Sequence, residues 1–255
     1  MSDEVLITAS GDGTLLVEIN RPHCRNAVNE RVAHQIAAAL DRLDDDPDLR
    51  VGIIAGAGGT FCAGMDLKAF VAGEVPMVEG RGFAGIVERG STKPLIAAVE
   101  GYALAGGFEI VLACDLVVAG RSASFGLPEV RRSLVAAGGG LLRLPARIPF
   151  HRAMEVALLG EPVPARQMEQ WGLVNRLVDD GTALAEARKL AAAVVRNAPL
   201  AVVASKQIVV EGGGWPPSEA FARQAVIADP VSGSADAHEG AVAFAEKRPP
   251  VWTGA

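Results

Sequence analysis

Residues 94–114 read PLIAAVEGYALAGGFEIVLAC. The run is about long enough to cross a bilayer, but it carries Glu100 and Glu109, and each acid would be costly at bilayer depth. Glycines at 101, 106 and 107 divide it into a strand, a turn and a helix. The spacing predicts a buried strand at Leu95–Val99, a glycine turn, a helix at Gly107–Ala113 and a further strand at Leu116–Ala119. An apolar stretch that does not span a membrane is core, and an acid inside it needs a reason.

Upstream the same design occurs once before. Val51-Gly-Ile-Ile-Ala-Gly leads through Gly58-Gly59-Thr-Phe-Cys-Ala-Gly64 into Met65-Asp66-Leu67-Lys68. Val51–Ala55 is uniformly apolar, as a strand covered on both faces should be. Before it, Val5–Ala9 and Thr14–Ile19 flank Gly11-Asp12-Gly13, a hairpin signal. Asn29 can cap a helix to about Asp44, with Val32, Ile36, Ala39, Leu40 and Leu43 on one face. Residues 72–92 read as a mobile, partly helical excursion. Strands alternating with helices argue for an α/β fold with right-handed crossovers. After about Gly138 strand signals nearly vanish, apart from Leu173–Val178, and helical patterns punctuated by prolines run to residue 246. The expected division is an α/β core over residues 1–200 and a helical region over 201–255.

The chain has 255 residues, and at roughly 150 per domain it is long enough for a large core without staples. Half its residues are hydrophobic, 21% are charged and the formal net charge is −6. That composition lies far from disorder, and the acidic balance argues against a general nucleic-acid binder. Cys24, Cys62 and Cys114 form neither a disulfide framework nor a zinc motif. The start MSDEVLITAS lacks the basic segment of a signal peptide. A soluble, cytoplasmic protein is expected.

Both glycine turns open a helix. A helix start presents unpaired N–H groups and a partial positive charge, and glycine allows close approach of another group. Two such ends aimed at one point would make an oxyanion hole from backbone alone; the alternative is that the glycine turns only join strands to helices. Glu109 has Ala105, Gly106, Leu112 and Ala113 as helical neighbours. An unpaired acid on an apolar face has a raised pKa suited to acid–base work, unless a distant Arg or backbone N–H groups satisfy it. Glu129, in Phe125-Gly-Leu-Pro-Glu-Val130, is either a second acid of the site or the partner of Arg131 or Arg132.

Other chemistry is poorly supported. Gly56-Ala-Gly58-Gly-Thr-Phe61 has Phe61 where a dinucleotide fingerprint needs its third glycine. His23, His34, His151 and His238 lack metal-ligand spacing. Cys62 and Cys114 sit in apolar contexts and suit core positions.

Five landmarks in order give the sequence a resemblance. They are Asn20-Arg21-Pro22 with Asn26-Ala27; Phe61-Cys-Ala-Gly-Met-Asp-Leu67; Lys93-Pro94 through Gly101-Tyr-Ala-Leu-Ala-Gly-Gly-Phe-Glu109 to Cys114-Asp115; Phe125-Gly-Leu-Pro-Glu129; and Trp171-Gly-Leu-Val-Asn-Arg176. Together they resemble the crotonase (enoyl-CoA hydratase/isomerase) superfamily. Leu142-Arg-Leu-Pro145 and the end Ala243-Phe-Ala-Glu-Lys-Arg248 with Pro250-Val-Trp252 resemble its crotonobetainyl-CoA (carnitinyl-CoA) hydratases. The resemblance implies a spiral of ββα turns with a helical C-terminal trimerisation region, assembled as a homotrimer or a dimer of trimers. It implies hydration of a 2-enoyl-CoA with no cofactor, because CoA arrives as part of the substrate. By position it implies oxyanion N–H groups at Met65 and Gly106 and an acid/base pair of Glu109 and Glu129. CoA contacts would fall at Ala63, Asp66, Leu67 and Lys68, with Arg25 and Lys247 for its phosphates. Ala136 stands where many members have proline, which is expected to loosen the loop that shapes the acyl pocket.

Overall fold

The computed structural model describes residues 3–255. Strands β1 (Val5–Ser10) and β2 (Thr14–Ile19) form the expected antiparallel hairpin, pairing Val5 with Ile19. Helix α1 (Glu30–Asp45) starts where Asn29 Oδ1 accepts the Val32 N–H at 3.0 Å, and Val32, Ile36, Leu40 and Leu43 bury one face. At its other end Lys93 Nζ donates to the Leu43 and Asp46 carbonyls, each at 2.7 Å, a cation placed on the negative end of the helix dipole.

Three stretches that follow leave one sheet and enter a second, which is the spiral the resemblance implies. The first runs from β3 (Val51–Gly56) through a parallel bridge at Cys62 into α2 (Leu67–Val71). A small antiparallel ribbon follows, β4 (Met77–Val78) and β5 (Gly82–Phe83). The second stretch is β6 (Leu95–Val99), β7 (Tyr102–Leu104) and α3 (Gly106–Ala113). The third is β8 (Leu116–Gly120) and β9 (Ser124–Gly126), then a 3-10 turn over Pro128–Arg132 and α4 (Gly140–Arg143). The chain continues through α5 (Phe150–Leu159), β10 (Val163–Pro164), α6 (Ala165–Gln170) and β11 (Arg176–Val178). It finishes with α7 (Ala183–Val195), α8 (Pro199–Gly212), α9 (Ala220–Ser232) and α10 (Ala235–Glu246).

The large sheet has the order β1-β2-β3-β6-β8-β11, parallel except for the hairpin; β10-β9-β7 forms the second sheet. Ile54, Ala97 and Val117 face α1 and α3, whereas Ile53, Ile96 and Val118 face Ala183, Ala187 and Ala191 of α7. Burial on both faces explains why these strands are uniformly apolar. Phe108, Ile110, Val111 and Leu112 of α3 are fully buried, each contributing about 1.5–3 kcal/mol. Glu100 caps α7, its Oε1 accepting the Ala183 N–H at 2.9 Å.

Two expectations need correction. Residues 72–92 are not helical. After Val71 they form the β4–β5 ribbon and turns, and residues 81–87 are buried. Arg81, only 4% exposed, anchors this segment by pairing with Asp41 and donating to the Arg89 and Gly90 carbonyls at 3.0 Å. The strand expected over Leu173–Val178 is shorter, because Leu173 and Val174 bend back to the Met168 carbonyl before β11 begins. Among the described residues no single helix is long and apolar enough to cross a membrane; α7 and α8 qualify only as a pair bent by 109°, and α7 is packed on the sheet.

Candidate active site

The two glycine turns meet. The Cys62 N–H donates to the Tyr102 carbonyl at 2.9 Å and the Leu104 N–H to the Cys62 carbonyl at 3.0 Å. This short parallel bridge lays the Gly64–Met65 peptide beside the start of α3, and a Cβ built on Gly64 would lie 3.3 Å from Gly106 N. On the other side Val28 holds the same peptide, donating to the Gly64 carbonyl and accepting the Asp66 N–H, both at 2.8 Å. Among the described residues neither the Met65 nor the Gly106 N–H donates to a protein acceptor. Ala105, which caps α3, has φ 51° and ψ −130°. A non-glycine residue there costs about 1–3 kcal/mol, and such strain collects at sites where geometry is imposed.

Both acids converge on this region. Glu109 lies in the first turn of α3, 4% exposed, with Oε1 accepting the Gly140 N–H at 2.9 Å. Burial raises its pKa, while the Gly140 and Gly138 N–H groups and the Arg143 charge pull it back. Glu129, on the 3-10 turn after β9, is pushed up to about 7 by burial, with the Glu109 charge adding to the rise. Its Oε2 is buried without a hydrogen-bond partner. Arg131 is not the partner, since it pairs with Glu161 at 3.2 Å. An orphaned buried carboxylate oxygen calls for an explanation, and here it lies within electrostatic reach of a second acid. For Glu109 both open readings hold: it is partly satisfied, and it is also poised.

Sequence reasoning missed two residues. Phe83 packs on the Gly106 turn, so that a Cβ added to Gly106 would lie 2.5 Å from its Cζ. Arg143 donates to the Val87 carbonyl and lies against Gly139, between the two glycines that hold Glu109. Neither position carries a local pattern; only the α/β winding brings them to Glu109 and Gly106. The loop around Ala136 is correspondingly better tied than the missing proline led us to expect: Ala136 is buried and Gly140 is bonded to Glu109.

The residues named for CoA divide. The Ala63 N–H donates to the Arg25 carbonyl at 3.0 Å, and the Arg25 guanidinium lies 5.6 Å over the Tyr102 ring. Leu67 and Lys68 are exposed on α2 nearby. The Asp66 carboxylate is already used: it pairs with Arg21 at 3.0 Å and accepts the Lys68 and Ala69 N–H groups, so it braces the loop. These bonds hold its carboxyl below the usual range despite opposing desolvation. Asn26, fully buried, fixes the same frame by donating to the Ala57 and Thr60 carbonyls at 2.8 and 2.6 Å. Lys247 stands apart within one chain: it closes α10, which packs on α9. Among the described residues no group of three His, Cys, Asp or Glu is placed to hold a metal ion.

Comparison with known proteins places the whole chain among relatives. The enoyl-CoA hydratase/isomerase family profile matches residues 10–255. The chain is 44% identical to enoyl-CoA hydratase EchA19 of Mycobacterium tuberculosis, over 93% of this chain and 92% of that protein. It is 41% identical to the carnitinyl-CoA dehydratase of Escherichia coli K12 over the full length of both. The crystal structure of enoyl-CoA hydratase EchA1 from Mycobacterium marinum superposes with a TM-score of 0.97 at 56% identity, covering 99% of each chain. With that profile spanning residues 10–255 and relatives 41–44% identical over nearly the whole of both chains, the chain belongs to the enoyl-CoA hydratase/isomerase family.

Proposed function

We propose that this protein hydrates the C2=C3 bond of a 2-enoyl-CoA, and in reverse dehydrates a 3-hydroxyacyl-CoA. The observation that carries the proposal is the pair of unpartnered N–H groups at Met65 and Gly106 beside two carboxyls of raised pKa. Met65 and Gly106 would donate to the thioester oxygen, which gains charge as C3 is attacked; losing one such donor typically costs about 10²–10³ in rate. Glu109 would hold the water and take its proton as oxygen bonds to C3. Glu129 would then give its proton to C2, the thioester carbonyl reforms, and no electron acceptor or cofactor is required. A base must be ionised and an acid protonated at working pH. A pKa pushed up to about 7 lets Glu129 keep its proton; burial raises Glu109 as well, and the Gly140 and Gly138 N–H groups and the Arg143 charge oppose that rise in favour of its carboxylate. The two acids titrate as a coupled pair.

Ala63, Leu67, Lys68 and Arg25 would border the CoA entrance, with Asp66 supporting them. Lys247 joins the site only if a second copy presents it, as a homotrimer or a dimer of trimers would allow. Cys62 and Cys114, buried and with thiols pushed up to about 12, fit the reducing cytoplasm inferred for the chain. The test is loss of the conjugated enoyl-thioester absorbance on mixing with crotonyl-CoA. Hydration by the wild type, and its loss in both Glu109→Gln and Glu129→Gln with CoA-ester binding retained, is the expected result. A wild-type rate in either variant overturns the assignment.

A further inference from the structure

Arg143 ends α4, one turn beyond the glycine loop. Three contacts converge on its surroundings. Its Nη2 donates to the Val87 carbonyl, in the buried segment that carries Phe83. Its Nη1 fills the space where a Gly139 side chain would be, so the guanidinium reaches the loop through that nitrogen. On either side of Gly139, a Cβ on Gly138 would come 2.5 Å from Glu109 Oε2, and the Gly140 N–H donates to Glu109 Oε1 at 2.9 Å. One side chain therefore joins the loop that grips the catalytic carboxylate to the segment whose ring backs the oxyanion turn.

We propose that Arg143 is the positioning residue of the acid–base pair: by tying residues 138–140 to Val87 it fixes Glu109 in place. This rests on the hydratase reading above, which supplies Glu109's role. The ionisable groups around Glu109 are Glu129 from the 3-10 turn and Arg143 from α4; Arg132 acts on Glu129, and Arg147 acts on Arg143. Arg143 acts on Glu109 directly, its cation opposing the effect of burial and favouring the ionised carboxylate, while the Glu109 charge adds to the rise at Glu129. Arg143 donates to main-chain oxygen rather than to a carboxylate, so its charge is not cancelled by a tight ion pair.

The test compares wild type with Arg143→Gln and Arg143→Lys over pH 5–9, using crotonyl-CoA. Removing the cation makes Glu109 harder to ionise, so the acidic limb of kcat/KM in Arg143→Gln should move to higher pH. A move of about 1 unit is expected, the low end of the effect of an opposite charge nearby, because Arg143 itself is only half-buried. Arg143→Lys keeps the charge and should return the limb toward wild type, while the weaker fit to Val87 leaves kcat low. A purely structural role lowers the rate without moving the limb, and that outcome overturns the proposal. If the wild type hydrates no enoyl-CoA, the hydratase reading fails by itself. The Arg143–Glu109 link is then read from the pH dependence of the thermal midpoint. Arg143→Gln should alter it in the wild-type background and not in Glu109→Gln; equal changes in both overturn the proposal.

Discussion

Replacing Gly106 by alanine isolates the geometry of the glycine turn from the oxyanion role proposed for it. Gly106 lies outside the left-handed region, so alanine is tolerated by the backbone and the perturbation is steric. Its new Cβ would sit 2.5 Å from Phe83 Cζ, whereas carbon–carbon contact begins near 3.5 Å. Either the ring or the Gly106 peptide must therefore move by about 1 Å. The ring has little freedom. It is borne by Gly82–Phe83, Gly85 is pressed against the Ala33–Ala37 face of α1, and Arg143 holds the Val87 carbonyl. The peptide should give way, and a displacement of 1 Å costs about 10² in rate. Gly106→Ala is thus expected to lower kcat/KM for crotonyl-CoA by about 100-fold, measured by loss of enoyl-thioester absorbance. Removing the ring in Phe83→Ala/Gly106→Ala should recover at least about tenfold of that, a coupling of about 1.4 kcal/mol. Thermal unfolding checks that each variant is folded, since Phe83→Ala alone carries a cavity cost of about 3–5 kcal/mol. Near wild-type activity in Gly106→Ala, or purely additive losses in the double variant, would refute the reasoning.

Further outcomes follow from the same contacts. Glu129 binds its proton more tightly folded than unfolded, so its contribution to stability falls as pH rises from 4.5 to about 7. Glu129→Gln should therefore raise the thermal midpoint relative to wild type more at pH 8 than at pH 5; an equal effect at both would contradict the burial of its charge. Asp66→Ala leaves the buried Arg21 without its partner at 3.0 Å and removes the α2 cap. It should cost about 2–4 kcal/mol in denaturant unfolding and slow turnover through the Met65 peptide, whereas Lys68→Ala should leave stability within about 0.5 kcal/mol. Cys62 and Cys114, fully buried with raised pKa values, should resist a thiol reagent at pH 8 until the protein unfolds. Rapid labelling of more than the half-buried Cys24 would show that the core opens.

What the sequence disclosed was local. The Leu95–Ala113 strand, turn and helix, the Asn29 cap and the uniformly apolar β3 all follow from patterns within a dozen residues, and the structure contains them. Glu109 was conspicuous because no neighbour along its helix could pair with it. Its satisfaction by Gly140, 31 residues away, was not visible, nor was the pairing of Arg131 with Glu161, which leaves Arg132 as the cation acting on Glu129. The segment 72–92 was misread because its glycines imply mobility in isolation. Here Gly80, Gly82 and Gly85 take positive φ, and the chain wraps closely on α1 with Arg81 as an anchor. Phe83 and Arg143 show the same limit, since each acts through partners that only the winding of the chain assembles.

The most direct measurement is hydration of crotonyl-CoA in H₂¹⁸O and, separately, in D₂O, with the product analysed by mass spectrometry and NMR. The hydration proposed for Glu109 and Glu129 should place a single ¹⁸O at C3 and a single deuteron at C2 of 3-hydroxybutyryl-CoA. Deuterium at C4 without oxygen incorporation, or ¹⁸O in a free acid with release of CoA, would contradict the hydratase assignment and point to isomerisation or thioester hydrolysis on the same fold.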